Sequence, residues 1–373
     1  GNVSEGSFKD IADNKLLIYD SDFIETNKSI TYTLYIWLRY VEDPTINLAS
    51  LLGTSIDGYV SVNGSDTKES TSCKFDSSKK ISYVVTFFNE DDKTVLESRK
   101  VSSGSTLGTL PLNGRYYTKV NANGTEYTST STITDDVMLY VMMEPNSFST
   151  DSWITISKAV KSGNISKYNV GDTKSVKMGT YGTHTVRITN MSTPSECSTS
   201  GFSQTACGFV LEFADIIAKH VMNDTETNVG GWPTTSMRTF VNNDIYNALP
   251  SELRNAIIDT VTVSGHGSTS GETNFTSTDK LYLLSTAEVW TQGSSNTIKK
   301  DTARDNTRQL DYYKNLGTST SNYSGAIKKK ETWWLRAANS DGNYGFYFVN
   351  IDGDWNSNFA TNTRGVSPAF RIG

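Results

Sequence analysis

The side chains of this protein that could do chemistry do not converge. His184, His220 and His266 fall in segments of different character, and no His-x-x-x-His pair, Cys-x-x-Cys pair or glycine-rich phosphate loop occurs. That pattern speaks against zinc, redox and nucleotide chemistry. His220 sits on an apolar stripe at helical spacing and reads as a core or boundary residue. Gly265-His266-Gly267-Ser268 is a polar loop with no base–nucleophile context. Of the three cysteines, Cys197 and Cys207 are near enough to close a small loop, and the spacing leaves open whether they do. Cys73 would then be a lone, inert thiol. Asp352-Gly353-Asp354-Trp355-Asn356-Ser357-Asn358 alternates oxygen ligands as a calcium loop does. No bidentate Glu follows it, and Asp-Gly before an aromatic reads as a hairpin turn. The expectation is a protein with no catalytic residues, no metal and no cofactor.

What remains is a capacity to bind. Trp333-Trp334-Leu335-Arg336 and Gly365-Val366-Ser367-Pro368-Ala369-Phe370-Arg371-Ile372 read as buried strands, apolar and bounded by breakers. Between them, residues 339–364 hold six Asn and six aromatics, with Gly at 342, 345 and 353. Such a mixture makes a poor core and a good contact surface. Aromatic rings give rigid area at low entropic cost, and Asn, Ser and Thr adapt their hydrogen bonds. The candidate ligand-binding residues are Asn339, Asp341, Asn343, Tyr344, Phe346, Phe348, Asn350, Asp354, Asn356, Asn358, Phe359, Thr361, Asn362 and Arg364. They are expected at one exposed face, with Tyr347 and Val349 pointing inward because only alternate strand residues share a face. Trp355 reads equally as an exposed anchor or as a plug beneath the loops. Trp333, Trp334, Leu335 and Val366–Ile372 are expected in the core, and Arg336 and Arg371 in ion pairs or hydrogen bonds to loop carbonyls.

Composition sets the frame for these residues. At 373 residues, two or three domains are expected. A net charge of −6 argues against nucleic acid or anionic lipid as partner. The short basic run Lys328-Lys329-Lys330 reads as a solvated turn. Abundant Ser, Thr, Asn, Gly and Tyr with little Pro or Cys suits a β-rich exported protein. No stretch has the roughly 18–20 apolar residues of a spanning helix, so a membrane would be reached only through a missing N-terminal anchor or signal.

Residues 1–77 alternate short apolar runs with turns: Leu16-Leu17-Ile18-Tyr19, residues 30–38 and Tyr59-Val60-Ser61-Val62 are strand candidates, and Asn63-Gly64 is a turn. The 30–38 segment with Trp37 resembles a strand of small sandwich domains in Gram-positive surface and pilus-like proteins. After the Ser77-Ser78-Lys79-Lys80 linker, residues 81–88 and 94–101 flank Asn89-Glu90-Asp91-Asp92-Lys93 as a hairpin. Tyr116-Tyr117, Gly124-Thr125-Glu126-Tyr127 and Val137-Met138-Leu139-Tyr140-Val141 follow. This order, across 81–143, is similar to the Listeria–Bacteroides repeat, a β-rich spacer of bacterial surface proteins, without its usual Gly-Tyr-x-Phe-x-Gly-Trp centre.

From Trp153 the pattern turns α+β. Residues 175–190 read as a hairpin around Tyr181-Gly182. Helical spacing of Phe209, Phe213, Ile216, Ile217 and His220 predicts a helix over 208–222. Phe240, Val241, Ile245 and Tyr246 predict another over 237–249, and Pro250 starts a third carrying Leu253, Ile257 and Ile258. Residues 281–284 read as a strand, and Ser285-Thr286-Ala287-Glu288 as the capping box of a short helix.

Gly230-Gly231-Trp232-Pro233, Met237-Arg238-Thr239-Phe240-Val241-Asn242, Leu249-Pro250-Ser251-Glu252-Leu253, Leu281-Tyr282-Leu283-Leu284-Ser285, Leu310-Asp311-Tyr312-Tyr313, Trp333-Trp334-Leu335-Arg336 and the closing Gly-Val-Ser-Pro-Ala-Phe-Arg-Ile stand in one order over 150–373. Together they resemble a bacterial domain family with the C-type-lectin-like fold. Some of its members are variable proteins of diversity-generating retroelements, whose C-terminal segment is mutagenised at adenine-rich codons. The resemblance implies a multidomain protein: a β-sandwich-like stalk at 1–77, a Listeria–Bacteroides-like β repeat at 78–147, and an α+β C-type-lectin-like head at 148–373. It also implies a secreted or surface-displayed adhesin or receptor of a bacterium, Gram-positive by the stalk, whose 339–364 face is hypervariable and binds a protein or other macromolecule. The alternatives are an enzyme of the formylglycine-generating type, which shares the fold and uses a reactive cysteine pair, and a structural pilus-like subunit. Glu144-Pro145-Asn146 looks like the sugar-and-calcium tripeptide of animal C-type lectins, but it precedes the head and reads as linker.

Overall fold

The computed structural model of this protein describes residues 82–373 apart from 294–296. The strands expected at 16–19, 30–38 and 59–62, the Asn63-Gly64 turn and Cys73 lie outside the described residues. What is described is β-rich, with several sheets and few, short helices.

Residues 82–143 form one five-stranded sheet. β1 (Ser82–Phe88) and β2 (Val95–Ser102) make the expected hairpin, followed by β3 (Gly114–Lys119), β4 (Asn123–Tyr127) and β5 (Val137–Met143). The spatial order is β2-β1-β5-β3-β4, with β1 and β5 parallel. Val85, Phe87, Tyr116, Leu139 and Val141 form its own small core, separate from the larger one. Glu144, read as linker, holds Asn164 through its carboxylate.

The remainder begins with α1 (Trp153–Ser162), whose first turn is capped by the Ser152 hydroxyl and whose end is closed by Gly163 at φ 73°. The next elements are β6 (Thr173–Lys177), β7 (Thr183–Asn190), β8 (Val210–Phe213), β9 (Ala218–His220), α2 (Ser236–Phe240), α3 (Tyr246–Ala248), α4 (Ser251–Ala256), β10 (Ile257–Ile258), β11 (Thr260–Ser264), β12 (Phe275–Asp279), α5 (Thr286–Val289) and α6 (Asp311–Asn315). The last elements are β13 (Trp333–Ala338), β14 (Gly345–Val349), β15 (Trp355–Phe359), β16 (Arg364–Val366) and β17 (Ala369–Ile372). One sheet runs β10-β17-β8-β7-β6, another β15-β14-β13-β16-β9, and β11 pairs β12. Residues 364–372 tie the two large sheets together, since β16 belongs to one and β17 to the other.

Several expectations are corrected here. Residues 208–222 are strands, not a helix. All four residues of β8 are buried between β7 and β17, and such a central strand is apolar at nearly every position, which mimics helical spacing over so short a run. Helix α4 stops at Ala256, and Ile257 and Ile258 instead pair with Ile372 and Arg371. Residues 281–284 are buried but make a single bridge, Tyr282 to Ala369, not a strand. The 237–249 helix is present in pieces, α2 and α3 joined by a wider π turn at Val241–Ile245. The hairpin at 175–190 and the Ser285–Glu288 capping box form as expected, and Cys197 and Cys207 form a disulfide.

The core between these sheets is dominated by Trp232, Trp290, Trp333, Trp334, Tyr282, Tyr313, Phe213 and Phe370, all essentially inaccessible. At roughly 25 cal/mol per Å² of apolar surface, such large rings dominate the hydrophobic contribution. Trp333 and Trp334 satisfy their indole N–H groups on the carbonyls of Ala326 and His220, at 3.1 Å each.

Candidate functional site

The frame beneath the candidate site rests on paired buried charges. Arg336, wholly buried on β13, donates to both carboxylate oxygens of Glu288 (2.6 and 2.7 Å) and to the Leu283 carbonyl at 2.8 Å. Glu288 is also the capping-box residue of α5 and accepts the Ser285 N–H at 2.9 Å. Burial pushes its carboxyl up, but Arg336, Thr205 and Ser285 outweigh burial and hold it below the ordinary carboxylate value. Arg371 donates to the Cys207 carbonyl at 2.8 Å. Both arginines thus brace irregular backbone, as their apolar surroundings predict.

Lys328 corrects the sequence reading. It is 1% exposed, not part of a solvated turn, and its ammonium reaches Glu212 at 2.6 Å and the Ser367 hydroxyl at 2.7 Å. Burial pushes its pKa down to about 8 against the opposing pull of Glu212. Glu212 also takes Arg187 and the Tyr313 hydroxyl, so a closed network fills the space beneath Trp333. Only Lys329 and Lys330 form the turn, both with positive φ.

The candidate residues do not share one face. Phe346 and Phe348 are 0% and 4% exposed, against expectation. Strand β14 lies between β13 and β15 and both its faces are covered, so Phe346 and Phe348 are as buried as the inward-reading Tyr347 and Val349. Five consecutive apolar or glycine residues carried that signal in the sequence. The buried strand separates most of the remaining candidates into two ends, while Asn356 and Asn358 lie along β15 and Arg364 on β16. Asn350 and Asp354 close the β14–β15 hairpin, where the Asn350 N–H meets the Asp354 carbonyl at 2.7 Å and Gly353 takes φ 92°. That is the turn expected for Asp352–Asp354. Asp341, Asn343, Tyr344, Phe359, Thr361 and Asn362 gather at the opposite end, where antiparallel pairing returns the backbone.

At that end Tyr344 and Phe359 are 41% and 43% exposed, and their ring centroids lie 5.1 Å apart. The Tyr344 ring folds back over Gly342, where an added Cβ would come within 2.3 Å of it. Asn343, Thr361 and Asp341 are exposed around the pair, and Asp341 is bridged to Lys300 at 2.7 Å. Asn339 is half-buried and donates to the Ser357 hydroxyl at 2.9 Å.

Sequence reasoning missed the side chain that holds this end in place. Asn228, fully buried, donates its amide to the carbonyls of Asn339 (3.2 Å), Gly342 (3.1 Å) and Gly345 (2.9 Å), and its backbone N–H to the Asn343 carbonyl at 2.9 Å. The neighbouring turn is fastened from the same segment, because the N–H groups of Met222 and Asn223 both donate to the Ala360 carbonyl. Val229, the residue after Asn228, is 44% exposed. No periodicity marks Asn228; the only trace is its position just before Gly230-Gly231-Trp232.

Among the described residues, strand β15 is the edge of its sheet. Hydrogen bonds from Asn350 to Asp354 and from Ala360 to Tyr344 bracket the ladder, so the backbones of residues 355, 357 and 359 point away from β14. Each of those outward N–H groups meets the side-chain oxygen of the residue before it: Asp354 for Trp355, Asn356 for Ser357 and Asn358 for Phe359, all at 2.8 Å. Trp355 itself is half-buried and packs on Tyr347 and the core, nearer the plug than the anchor.

Arg364 lies on β16 with its guanidinium over the Phe348 ring, 3.5 Å from the centroid, and 5.3 Å from that of Trp334. Burial lowers its pKa, with no opposing charge acting on it. The three histidines stay apart. His184 meets Asp215, His220 stacks on Phe240 at 4.3 Å, and His266 meets the Gly267 carbonyl. Among the described residues no group of His, Cys, Asp and Glu could hold a metal ion, and no helix is long and apolar enough to cross a membrane.

Residues 208–373 match a family described only as a domain of unknown function, DUF6273. The match takes in β8 to β17 and leaves out β7, which pairs with β8, and β6, which pairs with β7 and ends that sheet. Among curated proteins and among solved structures, nothing matches.

Proposed function

We propose that residues 148–373 are a C-type-lectin-like, ligand-binding head of a surface-displayed or secreted bacterial protein, an adhesin or receptor. Its ligand is a protein or another macromolecule, not nucleic acid. Binding is by a rigid surface, without catalysis, metal or cofactor. The observation that carries this reading is the exposed Tyr344–Phe359 pair, ringed by Asn343, Thr361 and Asn362 and seated on a frame braced by Asn228. Large aromatics at the centre of a polar rim are the usual anchors of a protein interface. The surface could change sequence at Asn343, Tyr344, Asn356, Asn358, Phe359 and Thr361 without touching the core, which suits diversification. No observation favours the formylglycine-generating alternative, whose reactive thiols would have to come from a pair here joined in a disulfide.

The test is capture of a ligand from host or microbial extracts with the full-length protein, followed by calorimetry on Tyr344→Ala and Phe359→Ala with and without EDTA. Binding that survives both substitutions, or that fails with chelator, would sink the reading. A reverse transcriptase gene and a template repeat beside this gene would support diversification.

A further inference from the structure

We propose that Arg364 is a subsite for a carboxylate brought by the partner. The inference rests on the binding reading above and names the chemistry that reading lacks. Ten arginines fall among the described residues, and nine of them donate a hydrogen bond to a protein group: Arg187 to Glu212, Arg238 to Asp279, Arg336 to Glu288, and the rest to carboxylates, hydroxyls, amides or carbonyls. Arg364 is the exception. It makes no hydrogen bond or ion pair with any described residue, and its Nε is buried without a partner. Its cross-strand neighbour is His220, not an acid.

A half-buried guanidinium left unpaired is costly, since it gives up water without regaining a hydrogen bond. Here the plane is also fixed, because one face rests on Phe348. The free N–H groups therefore lie in that plane, as a fork that matches a planar acceptor with two oxygens. An Asp or Glu side chain and the C-terminal group of a polypeptide both offer that acceptor, and the shared carboxylate is the ligand proposed. A phosphate also presents two oxygens to such a fork, so the test sets it against the carboxylate.

The probe is acetate, titrated into full-length protein labelled with ¹⁵N at arginine, with the Arg364 Nε–H resonance as readout. Arg364→Lys identifies that resonance by its disappearance, and the unchanged signal of the buried Arg336 certifies that the variant is folded. A saturable shift with acetate, absent with acetamide and weaker with phosphate at matched ionic strength, supports the subsite. No saturable shift, an equal response to acetamide, or tighter binding of phosphate overturns it. Because acetate is read on the protein alone, this result stands apart from the ligand capture. An acetate shift with Tyr344 and Phe359 irrelevant to the captured ligand would keep the subsite and remove the aromatic anchor.

Discussion

Tyr344 and Phe359 stand 5.1 Å apart, centroid to centroid, although one precedes β14 and the other ends β15. Their contact joins two turns that a single hydrogen bond, from the Ala360 N–H to the Tyr344 carbonyl at 2.8 Å, also links. Each ring keeps about two-fifths of its surface open, so each can anchor a partner without first being uncovered. Tyr344→Ala or Phe359→Ala should weaken binding of a captured ligand by about 2 kcal/mol or more, the scale of an interface hot spot. Calorimetry reads the loss, and addition of EDTA to the unaltered protein should leave affinity unchanged.

The buried and exposed members of the aromatic run should separate cleanly in stability. Phe346→Ala, Phe348→Ala, Trp334→Ala and Phe370→Ala each remove a ring with almost no exposure and should cost roughly 3–5 kcal/mol. Asn343→Ala and Thr361→Ala should stay within about ±0.5 kcal/mol. Urea melts of the six variants test the division. Phe346 or Phe348 variants as stable as the unaltered protein would mean that β14 is solvent-facing after all.

The frame was more legible in the sequence than the site was. Trp333, Trp334 and Phe370 announce themselves, because an apolar run between breakers has few other uses. Ser285 and Glu288 announced a capped helix, since the capping box is a local pattern. That Glu288 would also neutralise Arg336 is long-range geometry, and no local signal carries it. The misread helix over 208–222 has the same root. Glu212 interrupts an otherwise apolar strand, and its partners Arg187 and Lys328 lie 25 and 116 residues away in sequence. The single exposed face failed for a different reason. Period-two reasoning assumes that one face of a strand is wet, and β14 has none.

Glu288 gives the fold an acid-sensitive brace. Its folded pKa lies below the ordinary 4.5, so its contribution is complete above that value and is lost as pH falls through the folded one. Glu288→Gln strands Arg336 in the core and should cost about 3–5 kcal/mol at neutral pH. The gap between the unaltered protein and this variant should narrow below about pH 4.5. Chemical denaturation of both at a series of pH values measures the gap, and a gap that stays constant into acid would dismiss Glu288 as the titrating group.

Asn228 should matter to binding more than its distance from the exposed rings implies. Its amide holds three carbonyls of the 339–345 turn, and an aspartate in its place would present only acceptors to them. Asn228→Asp should therefore loosen Asn343 and Tyr344, destabilise the fold by about 1–3 kcal/mol through unsatisfied buried groups, and weaken ligand binding. Hydrogen exchange at Asn339 and Ala360, whose N–H groups donate to the Gly345 and Tyr344 carbonyls, would report the loosening directly. Unchanged protection there would remove Asn228 from the account of the site.

Among the described residues, β15 leaves one edge of its sheet free. An unpaired edge strand is a template for pairing with another polypeptide, and proteins blunt such edges in several ways. Here Asp354, Asn356 and Asn358 each turn a side-chain oxygen onto the outward N–H of the next residue, so three donors that would recruit a foreign strand are already occupied. Valine at 356 and 358 keeps β propensity, removes two of these acceptors and leaves the Ser357 and Phe359 N–H groups open. Asn356→Val with Asn358→Val should therefore leave the melting temperature nearly unchanged and raise self-association in proportion to concentration. Sedimentation velocity across a concentration series gives the answer. A double variant as monodisperse as the unaltered protein would mean that the side-chain oxygens do not guard the edge, and that the twist of the sheet or neighbouring loops keep it from pairing.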